Sequence, residues 1–349
     1  MFNLLELLKD VSIDFTRKDF SIVVIGLGKM GLLHSTILNL LCRGSVRYII
    51  DRSKLIRVGG RLLIKNVRFL DSIERLINLR ERVDAVFVTT PTQTHFYIAK
   101  RLLEAGFENI FIEKPPVQNL EQFNDLLDLS KRSNVMIGFQ KRFALPLRHA
   151  KLLLSEGVLG DLRSIYASIK SGDIVEPNKT FKHLGRGALL DLGVHVLDLL
   201  CWLLDEKPEV EWARYRIIYS GVDDHFEAVL NTGNVKIIFE TTWSDPLYRM
   251  PETYIEVKGS RGELKVSEDY LKIRIYEHGK SVNGSESLLY APYYYQGFPP
   301  VLVANHEYTI EDMHFLSVIE HKIKPITSLE TCKCAMILLE ELYRKASRG

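Results

Sequence analysis

The sequence predicts two joined folds: an α/β domain with a doubly wound parallel sheet, then an α+β domain with a large, mostly antiparallel open sheet. Three observations lead there. Between residues 20 and 143, short β-branched runs alternate with helical patterns, which implies right-handed crossovers and a parallel sheet. After Phe143 the strand-like stretches follow one another with turn residues between them, as hairpins do. A chain of 349 residues is also long for a single core. The boundaries read as 1–143 and 144–349, with residues 1–19 as an extension before the first strand.

In order, Leu4, Leu5 and Leu8 in the extension share helical spacing, which predicts a short amphipathic helix. Ser21–Ile25 is a strand buried on both faces, and a helix pattern runs from Met30 to Cys42. Arg47–Ile50 is the second strand, Val83–Val88 the next, and a helix covers about Gln93 to Ala105. Asn109–Ile112 is a strand ending in Glu113-Lys114-Pro115-Pro116; Glu121–Ser130 is helix and Val135–Phe139 strand.

Pro146–Glu156 reads as helix, and a strong helix covers about Ala188 to Leu204. Strands are predicted at 163–169, 210–219, 227–230, 235–242, 253–258, 262–266 and 271–276. Helices near 310–321 and 329–347 close the chain, and the aromatic, proline-rich stretch Tyr290–Pro300, with Tyr293-Tyr294-Tyr295 inside it, reads as a loop.

The formal charge is +2, from 46 basic and 44 acidic residues, which offers no electrostatic reason to expect nucleic acid or an anionic membrane as partner. The most apolar run, Ile22 to Leu41, is broken by glycines, Lys29 and His34 and does not read as a membrane span. The N-terminus lacks the pattern of a secretory signal. Four scattered cysteines, Cys42, Cys201, Cys332 and Cys334, read as reduced thiols of a cytoplasmic protein.

The chemistry begins at Gly26-Leu27-Gly28-Lys29-Met30-Gly31, which follows a buried-type strand and opens a helix. Gly26 permits the tight turn, Gly28 lets backbone approach a pyrophosphate, and Gly31 lets helix and strand pack closely. Lys29 and Met30 complete the turn, whose N–H groups and positive helix end face phosphates. Asp51 stands 20 residues after Gly31, at the end of the second strand, where a carboxylate would accept from the adenosine ribose hydroxyls. Together these make a Rossmann dinucleotide-binding pattern. Arg52 beside that ribose could hold a 2′-phosphate, but Asp51 would repel one; NAD is favoured, and NADP stays open.

Glu113-Lys114-Pro115 sits at the carboxyl end of a strand, where ligands of open α/β sheets collect, and a lysine there can donate to a substrate oxygen. Asp191 and His195 are four apart in a predicted helix with apolar surroundings and so share a face. A carboxylate beside an imidazole suits a general base for an alcohol proton. A surface pair, a buried polar pair and half of a metal site are the competing readings; no His or Cys cluster completes a metal site.

The chain resembles the Gfo/Idh/MocA oxidoreductases, the family of glucose–fructose oxidoreductase and inositol dehydrogenase. The resemblance runs from Ile22 to about Tyr343 and rests on VIGLGKMG at 24–31, TTPTQTHFYIAKRLLEAG at 89–106, FIEKP at 111–115, GFQKRF at 138–143, GALLDLGVHVLDLLCWL at 187–203 and the late helix around Glu311 to Ile319. It implies Lys114 as the active-site lysine, His195 as proton acceptor and Asp191 as a substrate contact that orients the site. It implies that Thr90, Pro91 and His95 line the cofactor, that Glu113 lies near the nicotinamide ribose, and that Arg142 lies near cofactor and substrate. It also implies a cis Lys114–Pro115 bond and a homodimer or homotetramer formed through the open face of the second sheet.

One departure is Gly185-Arg186-Gly187, where the family usually has three glycines; Arg186 is expected to reach toward an anionic group of the substrate. The expected activity is hydride transfer between nicotinamide and a secondary alcohol of a sugar, inositol or nucleotide-sugar-like substrate. Redox elimination of a glycosidic group with catalytic NAD, and a non-enzymatic dinucleotide-sensing regulator, remain the alternatives.

Overall fold

The computed structural model describes residues 19–177, 185–277, 280–281, 286–289 and 306–349. The predicted N-terminal helix and the Tyr290–Pro300 loop lie outside the described residues.

The described residues pack as two units, one drawn from within 1–140 and from 306–331, the other from within 141–289 and from 332–349. The segment 306–331 thus packs with the first unit.

The first unit is built on six parallel strands in the order β3-β2-β1-β4-β5-β6. They are β1 (Ile22–Ile25), β2 (Val46–Ile50), β3 (Arg68–Leu70), β4 (Ala85–Val88), β5 (Asn109–Glu113) and β6 (Asn134–Gly138). Helices α1 (Lys29–Leu41), α2 (Lys54–Leu63), α3 (Ile73–Leu79), α4 (Thr92–Glu104) and α5 (Leu120–Leu129) make the crossovers. The order reverses between β1 and β4, so a topological switch point falls there, with a crevice beyond the carboxyl ends of those strands. All four residues of β1 and of β4 are buried, as central parallel strands require.

Three of these elements, α2, β3 and α3, lie where the sequence pattern predicts none. Helix α2 contains Gly59-Gly60 and exposes Leu55 and Leu62, so neither propensity nor a buried stripe announces it.

Helix α8 (His306–His321) belongs to the first unit, where Phe315 packs edge-on to Phe87, ring centroids 5.4 Å apart. Beyond it, Ile137 N–H donates to Thr327 at 2.8 Å beside β6.

The second unit holds α6 (Leu145–Ser155), α7 (Val194–Leu204) and a ten-stranded sheet. Its strands are β7 (Leu162–Lys170), β8 (Glu209–Arg216), β9 (His225–Thr232), β10 (Val235–Thr242), β11 (Glu252–Gly259), β12 (Gly262–Val266), β13 (Tyr270–Glu277), β14 (Lys280–Ser281), β15 (Glu286–Leu289) and β16 (Ser347–Arg348). The order is β14-β13-β12-β11-β7-β10-β9-β8-β16, with β15 paired to β13. Pairing is antiparallel except β10 with β7 and β16 with β8. Strand β7 therefore sits inside the sheet, between β11 and β10. Helix α9 (Leu329–Lys345) ends the helical part of the chain.

The four cysteines are not all reduced thiols. Cys201 on α7 and Cys334 on α9 form a disulfide, while Cys42 and Cys332 are buried and lie outside it. The partners are 133 residues apart, and only the packing of the two helices brings their Cα atoms to 6.1 Å, within bridging reach.

Candidate active site

In the first unit the predicted cofactor residues gather at the carboxyl ends of β1, β2, β4 and β5. Gly26 takes φ of +93°, and a Cβ there would lie 2.8 Å from the Thr90 side chain. A Cβ on Gly31 would stand 1.9 Å from the Gly26 carbonyl oxygen, so helix and turn meet backbone to backbone. Gly28 is different: a Cβ there would meet nothing within 4 Å. It is the N-cap of α1 and offers no side-chain cap, and Lys29 after it is exposed. The open side of Gly28 and the uncapped helix start fit a dinucleotide pyrophosphate, which would use those N–H groups.

Asp51 is tied to this turn. Its Oδ2 accepts from Leu27 N–H at 3.0 Å and its Oδ1 from Ser53 N–H at 2.8 Å. Arg52 is exposed, and its carbonyl accepts from Arg57. Met30 is half-buried against Leu33 and Ile37.

Thr90 and Pro91 lie between β4 and α4. His95, on the first turns of α4, is buried between two carbonyls, that of Thr90 at 2.6 Å and that of Pro115 at 2.9 Å. Burial pushes its pKa down. The ring therefore links the turn after β4 to the turn after β5. There Lys114 is half-buried, the Lys114–Pro115 peptide is cis, and Lys114 N–H donates to Glu113 Oε2 at 3.0 Å.

Glu113 itself is buried, and its Oε1 is 2.9 Å from His34 Nε2. The other ring nitrogen, Nδ1, is 2.8 Å from Asp312 Oδ1 on α8. Among the described residues, His34, Glu311 and Asp312 form a group whose ligand atoms lie within 4.8 Å of one another, close enough for a metal ion. Both His34 nitrogens, however, are already engaged by carboxylates. The sequence reading missed this cluster. Its signal was a histidine three residues after Gly31, on the buried face of α1, and an acidic pair in the late helix.

In the second unit the stretch predicted as one helix, about Ala188 to Leu204, is continuous and contains a π-helical segment. Leu189–Gly193 is a π turn, and α7 follows from Val194. Asp191 lies in the π turn and is exposed; His195 lies in the first turn of α7 and is buried. The two residues differ in exposure along one continuous helix, and π turns recur at functional sites. Gly193 lets the helix close onto the sheet, since a Cβ there would lie 3.0 Å from Thr241 and 3.2 Å from Phe239 of β10.

The start of this helix is held by Asp223, from the connection between β8 and β9. Its Oδ1 accepts from Gly187 N–H at 2.7 Å and its Oδ2 from Leu189 N–H at 2.9 Å. Burial raises its pKa from 3.8 to about 6. Gly187 must be glycine because a Cβ would come within 2.2 Å of the Asp223 carbonyl oxygen.

Arg186 is placed by a different partner from the one expected. Its guanidinium pairs with both oxygens of Glu340 on α9, at 2.6 and 2.9 Å, and lies 4.6 Å over the Tyr343 ring. Arg142 is likewise engaged within its unit, with Asp198 of α7. Asp198 and Asp223 were invisible to sequence reasoning, because nothing local marks their partners 56 and 36 residues away.

A parallel sheet with a glycine turn at its switch point and a carboxylate on the second strand defines a dinucleotide-binding unit. Residues 20–140 match the model "Oxidoreductase family, NAD-binding Rossmann fold", and residues 147–265 match "GFO/IDH/MocA C-terminal domain". The chain belongs to the GFO/IDH/MocA oxidoreductase family, and its first unit is an NAD-binding Rossmann domain.

Among its relatives, trans-1,2-dihydrobenzene-1,2-diol dehydrogenase of Xenopus laevis is 29% identical over 164 residues, covering 46% of this chain and 49% of that one. Inositol 2-dehydrogenase of Rhizobium meliloti (strain 1021) is 27% identical over 206 residues, 57% of this chain and 60% of that one. The chain thus spans about half the length of the curated relatives it matches. An oxidoreductase domain protein from Kribbella flavida shares the fold with a TM-score of 0.80 at 20% identity, covering 94% of this chain and 97% of that one. A levoglucosan dehydrogenase, solved with NADH and levoglucosan, has a TM-score of 0.78 at 18% identity over 94% of this chain and 97% of that one.

Among the described residues no helix is long and apolar enough to cross a membrane.

Proposed function

We propose that this chain is an NAD-dependent dehydrogenase acting on a secondary ring hydroxyl, with a cyclic diol, inositol or sugar as substrate. The observation that carries this is Lys114. It stands at the carboxyl end of β5, its peptide fixed by Glu113, in a domain whose glycine turn fits the NAD pyrophosphate. The substrate class is supported by two relatives whose names specify a ring diol and an inositol, both with neighbouring secondary hydroxyls.

Bound NAD supplies the hydride acceptor at its nicotinamide ring. The chain supplies the rest. The Lys114 ammonium donates to the reacting oxygen and favours its developing charge. The hydroxyl proton passes to His195, the carbon–oxygen bond becomes a carbonyl as the hydride leaves, and Asp191 contacts and orients the substrate. Asp51, locked by the Leu27 and Ser53 N–H groups, favours NAD over NADP because a 2′-phosphate would face a fixed carboxylate. A homodimer or homotetramer formed through the open face of the second sheet completes the reading, and light scattering in solution reads it.

The test is turnover of ring diols, inositols and sugars with each cofactor, for the native chain and for Lys114→Met and His195→Ala. Each substitution is expected to lower kcat by roughly 10²- to 10⁴-fold while leaving NAD affinity nearly unchanged. NADH must appear in step with substrate oxidised. Normal turnover in either variant refutes the roles, and product formed without net NADH points to redox elimination instead.

A further inference from the structure

We infer that His34 is a positioning residue for Lys114: its doubly hydrogen-bonded ring, anchored by Asp312 of α8, fixes the Glu113 carboxylate and through it the Lys114 peptide. The inference rests on the reading of Lys114 as the active-site lysine.

The chain of contacts is continuous within the first unit. Asp312 Oδ1 to His34 Nδ1 is 2.8 Å, His34 Nε2 to Glu113 Oε1 is 2.9 Å, and Glu113 Oε2 to Lys114 N is 3.0 Å. Both ring nitrogens face carboxyl groups, and where both of these are ionised both nitrogens donate, which takes the protonated imidazole with its two N–H groups. Burial alone would push the ring toward neutrality, but Asp312 and Glu113 hold its pKa well above the usual value. Burial, and then the Glu113 charge, also push the neighbouring Glu311 carboxyl well above the ordinary range, and burial raises that of Asp312. One buried imidazole is thus held between two buried acidic side chains, by bonds at 2.8 and 2.9 Å.

Packing removes the alternatives open to such a network. His34 and Asp312 are fully shielded from water. Phe87 and Phe111 lie 5.4 and 5.0 Å from the His34 ring, and Tyr308 closes it edge-on at 6.1 Å. Glu113 is confined from below, since even a Cβ on Gly138 would come within 3.2 Å of its Oε2. A glutamate with one oxygen on an immobile ring cannot turn the other away from the lysine peptide. Without His34, Glu113 would be an unpaired buried charge and would rotate or take up a proton. Either change releases the Lys114 N–H and shifts the lysine, and a misplacement of about 1 Å is worth roughly 10²-fold in rate.

The test uses the full chain with His34→Gln, Glu113→Gln and the double variant. Glutamine keeps the bulk but cannot donate in both directions, because its oxygen must face one carboxylate. Three quantities are read: NAD affinity, kcat and KM for a ring diol such as trans-cyclohexane-1,2-diol or for myo-inositol, and the Lys114 backbone amide resonance in protein labelled with nitrogen-15 at lysine only, assigned by its loss in Lys114→Arg. For His34→Gln the expected result is a displaced Lys114 amide, NAD affinity within about twofold, and kcat lower by roughly 10- to 100-fold with little change in KM. The double variant should be no worse than the poorer single one, since both residues act through the same bond. A merely structural histidine would lower stability, leave kcat and the amide in place, and add to Glu113→Gln.

Unchanged kcat or an unmoved Lys114 amide in folded His34→Gln, or full additivity, overturns the inference. If His34→Gln does not fold, Asp312→Asn replaces it, with a smaller effect in the same direction expected and the same overturning results. Failure of the native chain to turn over any substrate, or full activity of Lys114→Met, sinks the proposed function; the Lys114 amide still decides whether His34 sets that peptide.

Discussion

Arg142 and Asp198 meet in a two-pronged ion pair, Nε to Oδ2 at 2.7 Å and Nη2 to Oδ1 at 2.6 Å, with both side chains shielded from water. Asp198 lies three residues after His195 on α7, so the pair ties the helix that carries the proposed proton acceptor to the chain just beyond β6. Arg142→Met leaves a buried carboxylate without its cation and is expected to cost about 3–5 kcal/mol in chemical denaturation. Arg142→Met with Asp198→Leu should cost clearly less, because it strands no charge; equal losses would show that the pair itself supplies the stability.

The three glycines of the cofactor turn should separate binding from folding. Gly28→Ala places a methyl where the protein has nothing, so stability should change by less than about 1 kcal/mol while NAD affinity falls at least tenfold. Gly31→Ala drives a methyl into the Gly26 carbonyl and should destabilise by at least ~2 kcal/mol. Titration with NAD and thermal melts of both variants check the contrast. A stable Gly28→Ala variant that binds NAD normally would remove the pyrophosphate from this turn.

Much of this turn was legible because strand, glycine spacing and Asp51 are local features with a fixed chemical purpose. The regular strands of the second sheet were legible too: Val235–Thr242 and Gly262–Val266 are observed as read. What escaped depends on contacts across the chain. The parallel pairing of β10 with β7 cannot be read from turns that look like hairpins. The π turn under Asp191 adds one residue to a helix without changing its apolar character. Arg186 looked available to a ligand because Glu340, its partner, lies 154 residues away.

Asp223 makes stability pH-dependent. Its folded pKa of about 6 lies above the ordinary aspartate value of 3.8, so the folded state holds the proton more tightly than the unfolded one. Stability from this group is therefore full below about pH 4 and is lost as pH rises through about 6, by roughly 3 kcal/mol in all. Asp223→Asn should lack that decline, while an amide oxygen still accepts from one of the two N–H groups. Denaturation curves between pH 4 and 7 for both proteins provide the comparison; parallel curves would show that Asp223 does not titrate in this range.

The Cys201–Cys334 bridge closes a loop of 133 residues, for which chain entropy alone gives a stabilisation of up to about 5 kcal/mol. Replacing both cysteines with serine should lower the denaturation midpoint, and reductant should affect the native chain but not the variant. Insensitivity of the native chain to reductant would mean that the thiols are not joined in solution.

The helix 194–204 is held at three places: Asp223 before its start, Arg142 at mid-length and Cys334 near its end. Three fixings along one short rod leave it no freedom to slide, roll or tilt within its unit. Such a rod frees the rest of the fold to evolve. Loops can lengthen, lose charge or gain aromatic rings as ligand preference drifts, and the helix keeps its registration with the sheet throughout. Diversification of substrate on a constant chemical step is the behaviour that this mounting permits.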